Sequence, residues 1–307
     1  MSLLAWTYLI AALAAVACSS AGVMLVVKRE ALVSEGLSHA VLPGIVLAFL
    51  IFRDRSSPLL ILAAGLSGLL MVWLVQWIAR TGRVKQDAAL GIVFSGMFSV
   101  GVIASSLNLK NIHFHAHCII DGNLAFAALD DCHWFGVYLG PKAFVSMLLC
   151  VVGVIGFVVV FFKELKLMAF DETASHLFGF RPRLLHTIWL AIVSIVAVAA
   201  FEVAGTILVV ALMIAPAAAA NLLSDRLSWM FVLSALLGTV AALLGVALSQ
   251  QLSISPAGPI SSVAGFVFLV IVFVAPKRGL IAKWVSRRKR RRQLMSLLVA
   301  ATKSDRS

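Results

Sequence analysis

Nine apolar runs of about 20 residues each, parted by short polar breaks, constrain this chain more than anything else in it. They are Trp6–Val27, Ala31–Phe52, Leu59–Ala79, Ala88–Leu107, Ala143–Phe162, Leu185–Phe201, Gly205–Leu223, Trp229–Gln250 and Pro259–Ala275. Each is long enough to cross the hydrocarbon core of a bilayer as one helix. The expected fold is therefore an all-α, polytopic helical membrane protein with about nine spans. Composition agrees: 62% of the 307 residues are hydrophobic, 12% are charged, and the mean hydropathy is +1.06. No soluble domain of this size has such a balance. The breaks are too short for a separate soluble domain, so the expected organisation is a membrane domain over 1–284 and a basic tail over 285–307. Glu202 to Ala204 alone part the sixth and seventh runs, which predicts a tight hairpin or a broken pair.

The net charge of +12 suggests nucleic acid only until the charges are located. Six consecutive basic residues, Arg287 to Arg292, follow the last apolar run, as on the cytoplasmic flank of a final span beside anionic lipid. A nucleic-acid reader would add a folded module, so nucleic acid is not an expected partner. With the C-terminus inside, the inner segments hold 21 of the 25 Lys and Arg, and the outer ones hold Arg53, Arg55, Lys110 and Lys142. The positive-inside rule then places the N-terminus outside. Met1 to Val27 lacks a basic leader and runs nine apolar residues past Cys18, which predicts a retained span rather than a cleaved signal. Trp6, Trp77, Trp189, Trp229 and Trp284 fall near run ends, where interfacial anchors belong.

Inside the second run lie Glu35 and His39, four residues apart and so on one helical face. Pro43 follows at the same interval and cannot donate to the carbonyl of His39. Ionisable groups within a span are costly and mark function by default; a carboxylate, an imidazole and a freed carbonyl suit a divalent metal ion. The bland alternative is an ion pair or hydrogen bond that locks two helices.

Two connections exceed a turn. The outer one, Asn108 to Lys142, holds His113, His115 and His117 in alternation, with Cys118, Asp121, Asp130, Asp131, Cys132 and His133 nearby. In an extended segment alternate residues share a side, so the histidines form either a transition-metal set or a solvated polar loop. Cys118 and Cys132 are free to pair or to help bind metal; Cys18 and Cys150 lie in apolar runs and read as packing residues. The inner connection, Lys163 to Leu184, predicts a short amphipathic helix capped by Asp171, with Glu172 in its first turn and Gly179 at its end. Its apolar contacts, Leu177 and Phe178, fit an interfacial helix or a docking element. Elsewhere, Glu202 is expected to cap the helix from Gly205 onward or to pair with a residue of a partner protein. Asp87 suits a helix N-terminus, and Pro216, among small residues, marks a packing kink.

KREALVSEGLSHAVLPGIVLAFL, Lys28 to Leu50, resembles the signature region of the zinc/manganese/iron permease family of ABC importers. Gln86 to Val102 is similar to that family's middle portion, Lys163 to Phe180 to its coupling segment, and Glu202 to Leu223 to its late helix. The blocks lie in order across most of residues 20–275. The resemblance implies a type II ABC importer-like permease that holds no permanent cofactor and passes a divalent ion: Mn²⁺, Zn²⁺ or Fe²⁺. Its implied partners are a cytoplasmic ATP-binding subunit, a second permease copy or paralogue, and an extracytoplasmic metal-binding protein. Consistent with that division, the chain has no G-x-x-x-x-G-K-[ST] phosphate loop. The resemblance makes Glu35 and His39 a transient metal site on the translocation path, and gives Asp171, Glu172, Leu177 and Phe178 a role in ATPase coupling. Relatives usually carry Asp where this chain has Glu35, while the histidine-rich outer loop is not a family feature. Two rival readings stand: a proton-coupled secondary metal transporter acting without an ATPase, and a membrane scaffold.

Overall fold

The computed structural model describes residues 3–52, 58–108, 131–134, 137–170 and 182–275, and positions 124, 127 and 129. Among these, ten helices follow in order: α1 Leu3–Val27, α2 Leu32–Phe52, α3 Pro58–Arg80, α4 Gln86–Asn108, α5 Lys142–Val160, α6 Phe162–Phe170, α7 Pro182–Ala204, α8 Thr206–Leu223, α9 Leu227–Leu252 and α10 Ala257–Val274. All except the nine-residue α6 are long and apolar enough to span a bilayer. The nine spans thus match the nine apolar runs, with ends shifted by up to three residues.

Two features depart from the sequence-based expectation. Within the outer connection, β1 (Asp131–Trp134) and β2 (Val137–Pro141) pair antiparallel, with an irregular register between Cys132 and His133. The described residues are otherwise helical, in keeping with the expected class; strands this short carry no periodic signal for the sequence to reveal. Trp189 is not an interfacial anchor. Helix α7 begins at Pro182, so Trp189 sits two turns in, 1% exposed, with its ring 5.8 Å from Phe157 and 6.4 Å from Phe231. Trp77 and Trp229, at helix ends, are more than half exposed as expected.

Lipid is as apolar as leucine, so helices in a bilayer associate through close van der Waals fit and a few polar bonds. Helix α1 is the axis, packed against α5, α7, α8 and α9. Its inner half is a run of small buried residues, Ala14 to Gly22 with Val16 the exception. Gly22 lies so close to the Met213 carbonyl of α8 that no Cβ fits. Across the opposite contact, the Ser234 hydroxyl of α9 donates to the Ser19 carbonyl at 3.0 Å. A second group is built on α2, which packs against both α3 and α4. Gly44 abuts the Ala63 backbone and Ser67, while a Cβ on Gly101 of α4 would stand 3.0 Å from the Pro43 nitrogen. The Ser67 hydroxyl donates to the Ala40 carbonyl, locking α3 beside the proline turn of α2. Helix α7 ties the groups together by packing on α1, α2 and α3.

Contacts between connections agree with the Lys/Arg count. Glu30, Gln86 and His186 meet at one end of the bundle, and all three fall in or beside segments assigned to the cytoplasmic side. At the other end Trp6 packs edge-on to Phe144, 5.2 Å between centroids, and its ring tip covers Gly140. Those residues belong to segments assigned outside.

Candidate functional site

Helix α2 starts at Leu32, which puts Glu35 in its first turn. By the rise of an α-helix, Glu35 lies only about 5 Å, and His39 about 10 Å, from the inner end of the span. Glu35 is exposed and His39 half-buried on the flank of α2 that meets α4. There the imidazole stacks on Phe94, with 5.7 Å between centroids and 23° between planes, and meets Phe98 edge-on at 5.2 Å and 78°. Two phenyl rings on successive turns of α4 thus orient the imidazole without using its nitrogens. Among the described residues neither those nitrogens nor the Glu35 carboxylate has a hydrogen-bond or ion-pair partner. The bland reading of Glu35 and His39, a locked pair between helices, does not match this geometry. One turn further, Pro43 is buried inside α2, and Gly44 and Gly101 bring three backbones together around it.

Glu35 and His39 supply two donors from one chain. No three His, Cys, Asp or Glu side chains converge on a metal-sized site among the described residues, so a metal ion held by these two would need donors from elsewhere for a coordination shell of four or more. The exposed residues Ser95, Gly96 and Ser99 leave a small-residue, partly polar surface on α4.

A second polar cluster was not singled out from the sequence. Glu30, 8% exposed in the turn between α1 and α2, accepts from Gln86 Nε2 at 2.8 Å and contacts His186 Nε2 through its other oxygen, also at 2.8 Å. Next to it, the Thr187 hydroxyl donates to Gln76 Oε1 of α3 at 2.7 Å. Glu30 opens the same signature stretch as Glu35, but its partners lie 56 and 156 residues away, beyond any local pattern.

The remaining predicted residues fall as follows. His113, His115, His117, Cys118, Asp171, Glu172, Leu177, Phe178 and the tail over 285–307 lie outside the described residues. His133 falls on β1, opposite Tyr138. Glu202 is exposed in the last turn of α7. The N-cap of α8 is Gly205, at φ 81° and with no side-chain cap bond, so the expected cap is replaced by a glycine that turns the backbone where side chains fit poorly. Pro216 is buried within α8. The inner connection starts helical earlier than the sequence suggested: the Phe161 N–H closes α5 on Phe157, and α6 follows at once, burying Leu165 and Met168. Between α6 and the turn joining α8 to α9 lies a groove of about 510 Å³, lined by Phe162, Lys166, Phe170, Arg226 and Leu227 among others.

Nine spans among the described residues, with an ionisable pair on a flank of one of them, define a multi-pass membrane protein. Residues 1–275 match the ABC 3 transport family, and the chain belongs to that family. It is 35% identical to the manganese transport system membrane protein MntD of Bacillus subtilis over 283 residues, covering 92% of this chain and 96% of that one. To the zinc transport system membrane protein TroD of Treponema pallidum it is 37% identical over 275 residues, covering 90% and 75%. Among solved structures it resembles PsaBC from Streptococcus pneumoniae in complex with Fab, with a TM-score of 0.71 and 25% identity over 91% of this chain and 94% of that one.

Proposed function

We propose that this chain is the permease subunit of an ATP-driven importer of divalent transition-metal ions, receiving the ion from an extracytoplasmic binding protein. The observation that carries the reading is the unpartnered carboxylate and imidazole of Glu35 and His39 on an open flank of a membrane helix, in a chain whose relatives are named for manganese and zinc transport. Carboxylate and neutral imidazole accept Mn²⁺, Zn²⁺ and Fe²⁺ alike. A second permease copy or paralogue, apposed along α2 and α4, brings further ligands and encloses the path. Ser95, Gly96 and Ser99 permit that close approach.

Two protein ligands per chain hold the ion weakly. That suits transport, because a site must release what it accepts. The ring stacking of His39 on Phe94 and Phe98 keeps the imidazole pointed while it changes partners. Glu35 reaches one methylene further than an aspartate would and sets the size of the coordination shell. On the inner face, the cytoplasmic ATP-binding subunit docks on the coupling segment that contains Asp171, Glu172, Leu177 and Phe178, with α6 and the groove beside Arg226 as its inner wall. Closure of the ATPases then tilts the spans as rigid bodies. Glu202 and Pro216 serve structure, at a helix end and a packing bend.

Uptake into proteoliposomes tests this against the proton-coupled rival. The complete complex takes up metal only with ATP; uptake by the purified permease alone, driven by a pH gradient, would establish the rival.

A further inference from the structure

We propose that Glu30, held between His186 and Gln86, is the joint through which movement of the coupling segment reaches the metal pair on α2; the proposal rests on the importer reading above. Glu30 is built into the backbone at the head of α2. Its N–H donates to the Leu25 carbonyl at 2.7 Å, its own carbonyl accepts from the Val33 N–H at 3.0 Å, and Arg29 before it takes a left-handed turn at φ 63°. The next turn carries Glu35. A displacement of the Glu30 side chain therefore moves the first turn of α2 with it.

On the other side of the joint, His186 lies on the fifth residue of α7, the first span after the coupling segment. Its Nε2 and Glu30 Oε2 are 2.8 Å apart, and the other Glu30 oxygen takes the Gln86 amide at the head of α4. The neighbouring Thr187 hydroxyl engages Gln76 of α3. The inner end of α7 is thus bonded, rather than merely packed, to the helices that position Glu35 and His39. A polar joint differs from apolar packing in kind. Hydrogen bonds to a buried carboxylate are either made or broken, which gives the contact two discrete states, as transmission between sites requires. A buried carboxylate is also costly to keep without partners of this kind.

The test uses the complete complex of permease, ATPase and binding protein in proteoliposomes, and reads metal ions imported per ATP hydrolysed. Glu30→Gln preserves shape and removes the charge. It is expected to keep ATP hydrolysis while lowering metal per ATP about tenfold. The reversed pair, Glu30→His with His186→Glu, restores the ratio, which a purely structural role would not predict. Should Glu30→Gln fail to assemble, His186→Gln takes its place with the same expectation. A wild-type ratio in the assembled single variants, or no recovery in the reversed pair, overturns the joint while leaving the importer reading intact. Absence of ATP-dependent metal uptake by the wild-type complex overturns both, and is distinguishable from the other results because it needs no variant.

Discussion

The contact of α2 with α3 at Gly44 offers a sharp test of how the helix carrying Glu35 and His39 is held. A Cβ at Gly44 would meet the Ala63 carbonyl and stand 2.6 Å from Ser67 Cβ. Ordinary carbon–carbon contact is about 3.5–4.0 Å, so Gly44→Ala forces α2 and α3 apart by roughly 1 Å. The obstacle includes backbone, which cannot rotate away. Overpacking of this kind costs about 1–3 kcal/mol. The same separation weakens the bond from Ser67 to the Ala40 carbonyl, for roughly 1 kcal/mol more. The summed effect is a loss of about 2–4 kcal/mol, with the proline turn next to His39 displaced. Gly65 is the control: it lies in the interior of α3 with nothing within 4 Å of its would-be Cβ. There Gly→Ala is expected to be neutral or to stabilise by up to about 1 kcal/mol. Thermal melting of the detergent-solubilised protein, followed by dispersion or intrinsic fluorescence, separates the two. Equal melting temperatures for Gly44→Ala and Gly65→Ala would refute the close-contact account.

Further outcomes follow from the same geometry. Glu35→Asp shortens the reach of the carboxylate; it should preserve ATP-dependent uptake but alter the preference among Mn²⁺, Zn²⁺ and Fe²⁺ by a few-fold to about tenfold, measured by competitive uptake. Charge reversal at the inner groove, Lys166→Glu with Arg226→Glu, should weaken association with the ATPase subunit, read by co-purification, while leaving the melting temperature of the permease unchanged. Pro43→Ala returns an amide donor to the His39 carbonyl and should stabilise α2 while lowering the transport rate; an unchanged rate would remove the freed carbonyl from the path.

What the sequence made legible was whatever has a local period. Span length and apolarity located every membrane helix among the described residues, and the i, i+4 spacing put Glu35 and His39 on one face. The limits of the apolar runs placed helix ends only to within three residues. That small error had consequences: three extra residues at the start of α7 moved Trp189 from the interface to the core, and the short α6 was folded into a predicted span and loop. The joint at Glu30 was invisible because its three members come from distant parts of the chain, and only packing of α2, α4 and α7 unites them. His39's ring partners, Phe94 and Phe98, were apolar residues in an apolar run, with nothing to distinguish them until α4 was docked on α2. Glu35 sits nearer the inner end of its span than an apolar run beginning at Ala31 suggested by itself, because the helix starts only at Leu32.

The central claim is that the imidazole of His39 ligates the transported ion. His39→Phe tests it with little structural disturbance, since a phenyl ring can occupy the stack between Phe94 and Phe98. ATP-dependent metal uptake by the reconstituted complex should fall about 100-fold or more, with assembly and melting temperature retained. Uptake at the wild-type rate by the assembled His39→Phe complex would contradict the account.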